Sequence, residues 1–141
     1  MRMVRLIGLF VVGSLLLIGC GEDKQIDTRI EEGALTGAFT VHVSDGNPVS
    51  RPVYTWSNGA NTDAMRVTVA RVADVATAVW EVQSDNPSLD NIQSPVTHGV
   101  SQPSTFESAT DERDLQTDIW YRVTVTKSDF STASRDFLIK P

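Results

Sequence analysis

Ile119-Trp120-Tyr121-Arg122-Val123-Thr124-Val125-Thr126 decides the fold class. Tyr121, Val123 and Val125 fall on one side of an extended chain, and Arg122, Thr124 and Thr126 on the other. That period of two is the pattern of an antiparallel strand with one face in a core and one toward water. β-Branched and aromatic residues fill the stretch, and neither Gly nor Pro interrupts it. Its apolar face has to be covered by a second layer, so the rest of the chain must supply further strands.

They lie on both sides of it. Phe39-Thr40-Val41-His42-Val43 puts Phe39, Val41 and Val43 on one face and is stopped by Asp45-Gly46-Asn47-Pro48. Pro52-Val53-Tyr54-Thr55-Trp56 sets Tyr54 and Trp56 together, and Ser57-Asn58-Gly59-Ala60-Asn61 follows as a turn. Met65-Arg66-Val67-Thr68-Val69 alternates, as do residues 77–83 around Ala78, Trp80 and Val82. Residues 133–139 point Phe137 and Ile139 inward, with Arg135 near the start. The run 92–100 is weaker, because Pro95 removes a ladder donor; it predicts an edge strand or one that begins at Val96. Seven strands without a helical pattern predict an all-β sandwich of about seven antiparallel strands in two packed sheets.

Trp56 on the second strand, Met65-x-Val67-x-Val69 on the third, and Leu115 six residues before Tyr121-x-Val123-x-Val125 resemble a fibronectin type III domain, an immunoglobulin-like sandwich. The resemblance covers roughly residues 36 to 141. It implies a corner in which the Tyr121 hydroxyl bonds back to main chain near Leu115. Two positions depart from it: Met65 stands where an aromatic is common, and no Pro-Gly lies between the Leu and the Tyr.

The start of the chain is of another kind. Arg2 and Arg5 with no acid are followed by residues 6–19, an apolar run whose one polar member is Ser14. A bilayer core takes roughly 20 apolar residues, so this run predicts a secretory signal and not a permanent span. Leu17-Ile18-Gly19-Cys20 ends it and holds the one cysteine of the chain. These four residues resemble the lipobox of bacterial lipoproteins. The resemblance implies cleavage before Cys20, a diacylglyceryl group on its sulfur and a fatty acyl chain such as palmitate on its new amino group. Two or more acyl chains anchor stably where one does so marginally. Gly21, in place of the Asp that signals inner-membrane retention in two-membrane bacteria, favours the outer membrane.

Three parts are therefore expected: a signal peptide over 1–19, a lipidated Cys20 with a flexible acidic tether over 20–36, and the sandwich over 37–141. The tether reading rests on Gly21-Glu22-Asp23-Lys24-Gln25-Ile26-Asp27-Thr28-Arg29-Ile30-Glu31-Glu32-Gly33, which is charged, lacks aromatics and ends in glycine. Loss of the first 19 residues removes two arginines and no acid, which takes the net charge from −6 to −8. A surface of that sign repels phosphate backbones, and no nucleic-acid partner is expected.

Sites of chemistry are sparse in the sequence. His42 and His98 have no Cys or carboxylate at ligand spacing and read as surface histidines. No Gly-x-Ser-x-Gly elbow is present. Acids gather in Asp85-Asn86-Pro87-Ser88-Leu89-Asp90-Asn91 and in Asp111-Glu112-Arg113-Asp114, without the order of an EF-hand loop, and no cofactor or metal is expected. Trp80 and Trp120 are the remaining candidates for recognition. Parity puts Trp120 with Arg122 and Thr124 opposite the core, either as a contact surface or as a ring packed beneath the tether or a loop. The function expected is a binding or structural role at the envelope, with membrane contact through the lipid on Cys20 and an envelope protein or carbohydrate as partner. Two alternatives stand beside it: an enzyme whose site lies in the loops 58–63, 85–91 or 111–114, and an accessory subunit that adds an edge strand to a partner near Pro95.

Overall fold

The computed structural model describes residues 29–57 and 63–141. They form an all-β antiparallel sandwich of the strands β1 (Arg29–Gly37), β2 (Thr40–Ser44), β3 (Val53–Ser57), β4 (Asp63–Ala64), β5 (Arg66–Arg71), β6 (Asp74–Ser84), β7 (Ile92–Gln93), β8 (Val96–Thr97), β9 (Thr105–Ala109), β10 (Trp120–Thr126) and β11 (Thr132–Lys140). One sheet has six strands in the order β1-β11-β10-β5-β6-β9, a second has β2-β3-β8, and β4 and β7 pair separately. Residues 17–20, read as a lipobox, the apolar run 6–19, read as a signal, and all but Ser57 of the turn expected at 57–61 lie outside the described residues.

The alternation in the sequence sets which face is covered. Tyr121, Val123 and Val125 of β10 are fully buried, as are Val67 and Val69 of β5 and Trp80 of β6. Across the core, Val41 and Val43 of β2 and Tyr54 and Trp56 of β3 come from the smaller sheet. Tyr54 joins the two layers, with its ring 5.8 Å from Phe137 and 6.3 Å from Trp80. Phe137 in turn stacks on Tyr121 at 5.8 Å. Burial of large side chains supplies the driving force, about 1.5–3 kcal/mol for each one fully covered.

The run 92–100 divides at Pro95. Ile92–Gln93 pairs with β4, whereas Val96–Thr97 pairs with β3 at the edge of the smaller sheet. A strand that starts at Val96 leaves the proline outside the ladder, where its missing N–H costs nothing.

One boundary differs from the sequence reading. Residues 29–36, expected as tether, belong to β1, which pairs antiparallel with β11 from Arg29↔Lys140 to Gly37↔Ala133. Its charged composition fits an edge strand: Glu31 pairs with Lys140, and Glu32 lies 3.6 Å from Arg135. Gly37, at φ 114°, makes the crossing to β2; a Cβ there would meet the Thr132 carbonyl oxygen at 2.3 Å.

Candidate functional site

The outer face of the six-stranded sheet carries the three residues singled out as a contact surface. Arg122 stands opposite Asp136 and Thr124 opposite Ser134, because β10 and β11 pair in that register. Arg122 makes a two-pronged ion pair with Asp136, Nε to Oδ1 at 2.6 Å and Nη2 to Oδ2 at 3.1 Å. Thr124 and Ser134 share a hydroxyl bond of 2.9 Å, and on the next strands Thr68 donates to Glu81 at 2.7 Å. The face is thus a ladder of paired polar groups, in which Asp136 balances Arg122 and Glu81 adds one negative charge.

Trp120 is 41% exposed at one corner of this face. Its six-membered ring lies over Gly33, where an added Cβ would come within 2.8 Å of Cζ3. Part of the ring packs on the stretch read as tether, and the rest is open. Trp80 does not belong with it. That ring is fully buried, and its Nε1 donates to Glu107 at 2.8 Å. Phe106, 47% exposed on β9, is an aromatic that the sequence reading passed over.

A second polar group is internal and centres on Glu112. Arg71 Nε donates to Glu112 Oε1 at 2.9 Å, and the Tyr121 hydroxyl donates to Oε2 at 2.6 Å. The same hydroxyl accepts the main-chain N–H of Gln116 at 3.1 Å, beside the buried Leu115. This is the corner expected of Tyr121, with a carboxylate added. Burial first, then the neighbouring carboxylate, push the phenol up to about 12, so it stays protonated. Arg71, Asp74, Thr77, Val79, Asp111 and Glu112 line a cleft of about 260 Å³ alongside. Tyr121 has no exposed surface, and its bond with Glu112 fastens the loop to β10.

His98 corrects the reading of a surface histidine: it is fully buried. Nε2 donates to the Glu112 carbonyl at 2.7 Å, which leaves Nδ1 to accept the Tyr54 hydroxyl at 2.8 Å. Burial pushes its pKa down to about 4. Its ring lies 4.7 Å from Trp80. The signal missed is distance in sequence, since Tyr54 stands 44 residues away. His42, by contrast, is exposed on β2, 3.5 Å from Glu32.

The acidic loops hold themselves and their neighbours. Asp90 accepts the N–H and hydroxyl of Ser128 at 2.7 and 3.0 Å, and Asp85 accepts Asn91 at 3.2 Å. Asp114 is paired with Arg51 through two bonds and with Ser50 through a third, which holds its carboxyl below the usual range. Among the described residues no three His, Cys, Asp or Glu side chains gather as metal ligands do. Near Pro95, the side chain of Gln102 bonds both the N–H and the C=O of Gln93 at 2.8 and 2.7 Å. A partner strand at that edge would have to displace it.

Compared with known proteins, the chain matches no family model, no curated protein and no solved structure. Its functional reading rests on its own residues.

Proposed function

We propose that this chain is a bacterial envelope lipoprotein, anchored by lipid on Cys20, whose fibronectin type III-like sandwich has a binding or structural role. The observation that carries the anchor is Leu17-Ile18-Gly19-Cys20 at the end of an apolar run that follows Arg2 and Arg5. Because β1 begins at Arg29, nine residue steps separate Cys20 from the sandwich, or at most about 30 Å of extended chain. The domain then sits close to its membrane, nearer than a tether to Thr36 would hold it. The outer membrane is favoured by Gly21.

A module of binding or structure is favoured over an enzyme by how the loop acids are used. Glu112 is engaged by Arg71 and Tyr121, and Asp114 by Arg51 and Ser50, so these carboxylates hold their loop to β5, to β10 and to the β2–β3 loop. The proposed contact surface is the outer sheet face with Trp120, Arg122 and Thr124, facing an envelope carbohydrate or protein. Membrane partition tests the anchor. The wild-type chain should stay with the membrane through a high-salt wash, and Cys20→Ser should not; equal retention of both would refute it.

A further inference from the structure

Among the described large apolar side chains Phe130 is the most open, at 82% exposure, and its backbone is left-handed, with φ 68°. It lies in the β10–β11 hairpin. Its N–H donates to the Lys127 carbonyl at 2.9 Å, and the Lys127 N–H donates to the Ser131 carbonyl at 3.0 Å. A left-handed residue at this place in a hairpin is ordinarily Gly or Asn, and a bulky aromatic there is an outlier. Packing does not explain the choice, since the ring covers almost nothing. Strain of this kind together with an exposed aromatic points to a role outside the fold.

The tip is stiff and acidic. Asp129 accepts the Ser131 N–H and hydroxyl at 2.9 and 2.6 Å, which fixes the turn and holds its own carboxyl ionised below the usual range. Through Ser128, Asp90 ties the hairpin to the loop that carries Leu89, itself 49% exposed. Lys127 turns inward, with Nζ 5.0 Å from the centre of the Phe39 ring, and is buried; its charge helps to keep Asp129 ionised but has almost no exposed surface at the tip. What is displayed is two apolar side chains, Phe130 and Leu89, on a pair of loops that also bear Asp85, Asp90 and Asp129. The chain enters the sandwich at the other end, where Arg29 pairs with Lys140. Eight steps of β11 separate the two ends, about 27 Å.

We propose that Phe130, with Leu89, is a preformed anchor for a protein partner that offers an apolar pocket with a cationic rim. An aromatic held rigid before contact loses little freedom on binding, and aromatic anchors dominate interfaces. The three carboxylates select the rim by complementarity. They also oppose two other occupants, an anionic bilayer surface and the equally acidic tip of a second copy. The proposal is independent of the lipid anchor and of the outer sheet face.

The test places a benzophenone photo-crosslinking residue at position 130 of the full chain in its own cells, with Val75, 54% exposed near the opposite end, as the control position. A protein adduct should form at 130 and not at 75, and added purified wild-type chain should compete it away. The adduct should fall by about tenfold with Asp129→Asn, which keeps the acceptor oxygen for Ser131 and removes the charge, and it should weaken as salt rises. Phe130→Asn should compete no longer, while its Tm rises by about a few degrees as the strain is relieved. Equal adducts at 130 and 75, or indifference to Asp129→Asn and to salt, would overturn the proposal. So would an adduct with a second copy, or Phe130-dependent sedimentation of the chain with phosphatidylethanolamine and phosphatidylglycerol vesicles.

Discussion

The carboxylate of Glu32 takes the main-chain N–H of Val43 at 2.6 Å, from β1 in one sheet to β2 in the other. Beside it Arg135 donates to the Val41 carbonyl at 2.9 Å. These two side chains satisfy main-chain groups of β2, the edge strand of the smaller sheet, that would otherwise offer a template for pairing. β1 thus seals a corner of the sandwich.

A chain begun at residue 29 should therefore fold with full stability, and one begun at residue 37 should lose about 2 kcal/mol or more, since it leaves Val43 N–H unpaired and uncovers β11. Glu32→Ala alone should lower stability by about 1–3 kcal/mol. Urea unfolding of the three chains checks this, and equal midpoints would mean that β1 is dispensable.

How much of this was legible follows from where each contact partner lies. In β10 every second residue is apolar, so the strand and its buried face can be read locally, whereas the corner at Tyr121 is implied by the resemblance that Leu115 and Tyr121 carry. β1 hides for the opposite reason. It is an edge strand whose charged side chains serve other strands, and what distinguishes it from a solvated tether is its ladder with β11, from the far end of the chain, and the Glu32–Val43 bond. Glu112 and His98 were unreadable on the same ground: their partners, Arg71 and Tyr54, are 41 and 44 residues away. Parity placed Trp120 outward, but could not show that Gly33 makes room for half its ring.

Tyr121→Phe removes a donor to Glu112 and the acceptor of the Gln116 N–H together. A cost of about 2 kcal/mol is expected in chemical denaturation. Trp56→Ala, which empties a core position only 3% exposed, should cost more, about 3–5 kcal/mol.

Acid should weaken the fold through His98. Its folded pKa of about 4 lies below the usual 6.5, so the unfolded chain binds the extra proton first as pH falls. The stability present above pH 6.5 is lost as pH drops toward 4, by up to about 3 kcal/mol. His98→Gln can keep a donor to the Glu112 carbonyl and an acceptor for Tyr54, and should flatten that part of the pH profile. A profile unchanged by the substitution would mean that other groups set it.

Of the three tryptophans, Trp56 and Trp80 are buried and Trp120 is 41% exposed. Iodide should quench one component of the fluorescence, and Trp120→Phe should abolish that component. Gly33→Ala should push the ring outward and raise its accessibility, because the new Cβ meets Cζ3 at 2.8 Å. If the outer face binds a partner, Trp120→Ala should weaken binding by about 2 kcal/mol with a smaller loss of stability.

The lipid anchor is tested most directly by intact mass spectrometry of the chain extracted from its own membranes. A mature N-terminus at Cys20 that carries diacylglyceryl and acyl mass is the result expected. A chain that begins at Met1 with a free thiol at Cys20 would contradict it.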